Sequence, residues 1–199
     1  AYLVFGYFDE KGQFVQQGAV PPPDTSQGVD LAVAVYPEHY DILVNGQPQQ
    51  RAIPLQYHGG KLALTTWFSK VAFDDVAIIT TTLPTTAPLA NPLPVTTTLT
   101  NSETAASSGT NPLLFAQNFA EAVDQTQWSP FSGDWQFMPE ALVQQQTNGY
   151  DYSISHAGSF SQFTLRVRFQ HRTGAAGGGL LFNMPEFANK NQGHIVRYY

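Results

Sequence analysis

Apolar and polar residues alternate with a period of two along most of the chain, and the pattern is cleanest from Asp30 to Ile79. Leu31, Val33 and Val35 alternate with smaller residues, and Ile42 and Val44 repeat the theme. Asn45-Gly46 then supplies two residues that accept positive φ, as a two-residue hairpin requires. His58-Gly59-Gly60 is a second turn. After it Leu62, Leu64 and Thr66 share one face of a strand while Ala63, Thr65 and Trp67 take the other, so Trp67 is expected to point outward. Val71, Phe73, Val76 and Ile78 form the next run. Asp74-Asp75 interrupts it, which predicts a bulge or an edge position.

On either side of this stretch the pattern is also that of strands. Residues 2–8 form a dense apolar strand, Asp9 to Gly12 turn it into a second strand at Gln13 to Gln17, and Pro21-Pro22-Pro23 imposes an extended connection. Further on, Phe115, Phe119, Trp128, Phe131 and Trp135 mark an irregular aromatic segment, with a short helical turn expected over Ala116 to Asp124. Strands follow at Trp135 to Met138, Ala141 to Gln146 and Tyr150 to Ser155. In Phe160 to Gln170, Phe163, Leu165, Val167 and Phe169 face inward and Gln162, Thr164, Arg166, Arg168 and Gln170 outward. Strands at Leu180 to Phe182 and His194 to Tyr199 complete the set.

Between the two patterned segments, residues 80–112 are rich in Thr, Pro, Ser and Ala and keep neither period. They read as an extended linker; at ~3.3 Å per residue it would span on the order of 100 Å if straight. An edge strand over Leu89 to Leu99 is the alternative. The threonines suit O-glycosylation, whereas the chain has no Asn-X-Ser/Thr acceptor.

Composition narrows the function classes. Nine Lys and Arg against fifteen Asp and Glu give a net charge of -6, which leaves no basic stripe for phosphates and makes nucleic acid an unexpected partner. No cysteine is present, so disulfides and thiolate metal sites are excluded. No apolar run approaches the ~18 residues of a membrane helix, so membrane insertion is not expected. The pattern begins inside a strand, like a segment cut from something longer.

The Trp-x-x-x-Ser-Gly-x-Trp motif at Trp128 to Trp135, the Phe-x-Leu-x-Val-x-Phe strand at Phe163 to Phe169 and the Gly-Gly-x-x-Phe strand at Gly178 to Phe182 resemble the opening half of a concanavalin A-like (laminin G-like) jelly-roll sandwich. The Tyr-x-Ile-x-Val-Asn-Gly hairpin at Tyr40 to Gly46, the Gly-x-Leu-x-Leu strand at Gly60 to Leu64 and Phe73-Asp74-Asp75-Val76 resemble its closing half. The resemblance implies an all-β antiparallel jelly-roll sandwich encoded back to front: residues 1–79 as the closing half, 80–112 as linker and 113–199 as the opening half. Either one chain folds as a permutant, its linker crossing the sandwich, or the halves of successive molecules complete each other head to tail.

Chemistry is sparse. Glucanases of this fold carry a Glu-x-Asp-x-x-Glu strand, and none of Glu10, Glu38, Glu103, Glu121, Glu140 and Glu186 has that spacing, so no catalytic residues and no enzyme activity are expected. The resemblance keeps calcium open as the one cofactor, with Asp9, Asp24, Asp74 and Asp75 as hard-oxygen candidates. Sugar binding needs aromatic platforms with polar neighbours, for which Trp67, Tyr36, Tyr57 and Asn45 are the candidates; Trp128 and Trp135 belong to the fold motif and are expected in the core. The leading expectation is a non-enzymatic extracellular subunit whose partners are copies of itself, assembled head to tail into a fibre, sheath or stalk. The alternative is a lectin-like monomer binding surface glycans.

Overall fold

The computed structural model describes residues 2–21, 24, 28–81, 113–119, 125–185 and 192–199. Leading strands are β1 (Leu3–Phe8), β2 (Phe14–Val20), β3 (Val29–Val35), β4 (His39–Val44), β5 (Gln47–Pro54), β6 (Gly60–Thr66) and β7 (Ser69–Thr80). Trailing strands are β8 (Leu113–Gln117), β9 (Trp128–Ser132), β10 (Trp135–Met138), β11 (Ala141–Gln144), β12 (Tyr152–Phe160), β13 (Phe163–Gly174), β14 (Gly178–Met184) and β15 (Gly193–Tyr198). They form two antiparallel sheets packed face to face, a β-sandwich. Sheet I runs β2-β1-β15-β14-β6-β12-β9; sheet II runs β10-β11-β7-β13-β3-β4-β5, with β8 also beside β7.

Neither sheet belongs to one segment of the sequence. In sheet I the leading strand β6 lies between the trailing strands β14 and β12; in sheet II the trailing strand β13 lies between the leading strands β7 and β3. Strands inserted this way complete the hydrogen-bond ladders of both segments, which separately would expose unpaired edges and an apolar face. Tyr2 and Tyr199 exchange backbone hydrogen bonds of 3.2 and 2.9 Å, so the chain's two ends meet beside the β1–β15 pair. The expected crossing of the sandwich by the linker is not needed: Ile79 of β7 pairs with Leu113 of β8, so the chain leaves and rejoins sheet II at neighbouring points.

The core is built from the predicted alternation. Leu31, Val33, Phe163, Leu165, Val167 and Phe169 of sheet II meet Leu62, Leu64, Leu180 and Phe182 of sheet I, each such side chain contributing about 1.5–3 kcal/mol on burial. Trp128 and Trp135 join them, as the fold motif implied. A smaller cluster of Ala63, Leu181, Met184 and Ile195, flanked by Phe8 and Phe14, packs separately. Gln17 ties the two sheets on one side, accepting from the Tyr40 hydroxyl at 3.0 Å and donating to the Pro54 carbonyl at 2.7 Å.

Of three local expectations, the first is met in one of its two alternatives, the second changes in part, and the third concerns residues that are not described. Asp74-Asp75 is a bulge, with Asp75 at φ 47°, but β7 is interior to sheet II and not an edge. Ala116 and Gln117, at the start of the expected helical turn, belong instead to strand β8, because they pair with Ala77 and Val76; residues 120–124 of that expectation lie outside the described residues. The strand considered at Leu89 to Leu99 lies outside the described residues.

Candidate functional site

Sheet II turns its outward face to solvent, and the outward positions of adjacent strands are mostly small. On that side β13 carries Thr164, Arg166, Arg168 and Gln170; Arg166 is in register with Ala32 on β3 and Ala77 on β7, and Gln170 with Ala72. Long side chains on the middle strand and alanines beside it make troughs along the strand direction. One hollow of about 530 Å³ is lined by Asp75, Ala77, Ala116, Asn118 and Arg166. On the other side of Arg166 a second, of about 460 Å³, is lined by Asp30, Ala32, Leu43, Asn45, Thr164 and Arg166. A third of about 290 Å³ continues past Asp74, Glu140, Arg168 and Arg172, and a fourth of about 420 Å³ past Lys70, Val143 and Arg172.

The first two hollows share Arg166 and Ala77 as walls and the last two share Arg172 and Ala141; the two pairs follow β13 over roughly 25 Å at ~3.3 Å per residue. Arg166 donates to Asp30 at 2.7 Å. The backbone N–H of Asp75 donates to the Asp74 carboxylate at 2.7 Å. Burial pushes the pKa of that carboxyl up, the Asp75 N–H and Arg168 acting the other way. The face thus offers carboxylate acceptors and guanidinium donors side by side over a methyl floor.

Of the four sugar-binding candidates only Asn45 reaches this groove. It occupies the hairpin at φ 51°, accepts from the Asp30 backbone N–H at 3.1 Å and lines the second hollow. Trp67 is turned away from the main core, as its strand phase predicts, but it is only 4% exposed, packed 5.2 Å from the Tyr199 ring and 5.3 Å from the Arg197 guanidinium. Tyr36 stacks on His39 at 4.6 Å. Tyr57 packs edge-on against Tyr7 and His194, and its carbonyl accepts from the fully buried Asn183 side chain at 2.9 Å. The four residues therefore have separate surroundings and form no common platform.

The calcium candidates do not converge either. Asp9 accepts from the backbone N–H groups of Lys11 and Gln13 at 2.9 and 2.8 Å, closing the β1–β2 turn in sheet I, while Asp74 and Asp75 sit in sheet II. Among the described residues no three carboxylate or imidazole groups come together as a metal site would require.

Two of the five histidines, which the sequence reads as solvated or turn residues, are buried. His194, fully buried, accepts at Nε2 from the backbone N–H groups of Gln56 and Tyr57 at 3.0 and 3.2 Å and stacks on Phe182 at 5.3 Å. His156 accepts at Nδ1 from the Gly158 N–H at 2.9 Å and packs edge-on against Phe115 and Trp128. Burial lowers both pKa values to about 4. The backbone partners of His194, Gln56 and Tyr57, lie so far off in sequence that no local pattern could have announced them.

No family model matches the chain, and no curated protein matches it.

Proposed function

We propose that this chain is a non-enzymatic, extracellular, jelly-roll-like lectin domain that holds an extended neutral glycan along the outward face of sheet II. The observation that carries the reading is the row of hollows along β13, two pairs each with alanines in its lining. A sheet face has no free backbone groups, so a peptide could not bind there by adding a strand. Recognition must come from side chains. Paired Asp and Arg groups suit neighbouring hydroxyls, which both donate and accept. The Asp30 and Asp74 carboxylates hold an arginine and a backbone N–H, an arrangement that suits binding better than acid–base chemistry.

The test is a polysaccharide array followed by titration calorimetry on any hit. Ala77→Phe fills the floor between two hollows at a partly exposed position, and it should abolish binding while leaving thermal stability within about 1 kcal/mol. An array without hits, or full binding by the variant, would reject the reading.

Head-to-tail assembly with copies of the same chain remains a second reading, supported by strands from the two segments alternating in both sheets. Sizing separates the two: an open-ended series of masses favours assembly, and a single species near 21.8 kDa favours the self-contained lectin.

A further inference from the structure

At the opposite sheet, where β6, β15 and the β11–β12 connection meet, a second cluster has the features of a ligand site and is independent of the groove. The Arg197 guanidinium lies 4.4 Å from the centre of the Phe14 ring, 4.7 Å from that of Tyr199 and 5.3 Å from that of Trp67. Stacking of this kind fixes the plane of the guanidinium and leaves its edge to donate. Yet Arg197 Nε and Trp67 Nε1 are both buried N–H donors without an acceptor among the described residues. Each buried donor left unmatched costs about 1–3 kcal/mol, so two such donors on side chains in contact call for a compensating gain.

The surroundings point to what supplies the acceptor. Tyr150, 75% exposed, makes an edge-on pair with Phe68 at 4.3 Å, and Tyr199, 37% exposed, lies over Trp67 and Arg197. Phe68 and Asp151 both hold left-handed backbone conformations, at φ 46° and 54°, which side-chain-bearing residues adopt at a cost that recurs at binding sites. Asp151 is within electrostatic range of Arg197 and Tyr199. Exposed aromatic faces take the apolar side of a sugar ring, a carboxylate such as Asp151 takes its hydroxyls, and an arginine with an unused edge takes an anion.

We propose that Arg197, Trp67, Tyr199 and Tyr150 form a binding site for a carboxylate-bearing sugar, a uronic acid unit, whose carboxylate accepts from Arg197 Nε and Trp67 Nε1 once the Tyr199 ring swings aside. Neutral sugars lack the group that answers these two donors and bind poorly there.

The experiment is a titration of the full chain with methyl glucuronide, read by tryptophan emission, with methyl glucoside as the neutral control. Trp128 and Trp135 sit in the main core, so a response at this site comes from Trp67 and disappears in Trp67→Phe. A saturable change with the glucuronide, at least about tenfold weaker in Arg197→Gln, is the expected result. An equal response to the glucoside, no saturable response, or unchanged affinity in a folded Arg197→Gln would each overturn the proposal. Should Arg197→Gln not fold, Tyr150→Ala removes an exposed ring and must weaken the glucuronide by about three- to tenfold; unchanged affinity there overturns it as well. Ala77→Phe, on the other sheet, leaves this titration unaltered, so failure of one site is distinguishable from failure of the other.

Discussion

Acid should unfold this sandwich through its two enclosed imidazoles, and His194 allows the size of the effect to be worked out. Its ring is fully buried among Tyr7, Tyr40, Tyr57 and Phe182, and its Nε2 is committed to accepting two backbone hydrogen bonds. A proton on Nε2 would destroy both bonds and place a charge in an apolar cage. Burial, helped by His58 and slightly opposed by the Gly6 carbonyl, lowers its pKa from 6.5 to about 4. The unfolded chain therefore takes up a proton that the folded chain refuses throughout that window. Stability is complete above pH 6.5, falls by about 1.4 kcal/mol per pH unit as the pH drops towards about 4, and levels off below it. The total for this ring is about 3 kcal/mol, a large share of the 5–15 kcal/mol typical of a domain. His156 acts in the same direction, through burial and the charge of Lys61. Urea unfolding followed by tryptophan emission at a series of pH values measures the slope directly. His194→Gln keeps a side-chain acceptor but cannot titrate, so its slope across the window should be roughly half that of the parent chain. A parent stability that stays flat between the two pKa values, or an unchanged slope in the variant, would refute the account.

Three further outcomes follow from the geometry. Gly60→Ala places a Cβ 2.2 Å from the Met184 carbonyl oxygen at φ 130°, and should cost about 3 kcal/mol or more, seen as a fall in melting midpoint of roughly 6 °C or more. Arg166→Ala breaks an ion pair whose two side chains are 57% and 32% exposed, so melting should barely move, by less than about 1 kcal/mol, while any glycan binding in the groove weakens. Because Tyr2 and Tyr199 are hydrogen-bonded to each other, joining the two ends by a few turn residues and opening the chain within residues 82–112 should give the same circular dichroism spectrum and comparable stability; a molten or insoluble product would argue against the strand order of sheet I.

Most of the strands were legible because an alternation of period two survives wherever one face is buried, as in Val29 to Val35 and Phe163 to Phe169. The bulge at Asp74-Asp75 was legible because two acids break a run of inward apolar residues. The fate of Trp67 was only half legible: its phase gave the side of the sheet, but its cover comes from Arg197 and Tyr199, more than a hundred positions away. The groove was not legible at all. Ala32, Ala77 and Ala116 are unremarkable as isolated letters, and they become a floor only when β3, β7 and β8 are placed around β13. The unmatched N–H of Arg197 belongs to the same class, since pattern records what a residue is and not which neighbours it ends up beside.

The pairing of β1 with β15 also sets how the molecule would respond to tension. Tyr2 and Tyr199 lie side by side at one end of an antiparallel pair, so a load applied between them pulls across the ladder and opens it one rung at a time, as a zip opens, starting from the Leu3–Tyr198 rung. Resistance in such a geometry is that of single hydrogen bonds broken in sequence, not of a whole strand sheared at once. A stalk built by joining such units through these two residues would yield at low force, whereas a receptor domain that is merely presented to its ligand would never feel the weakness.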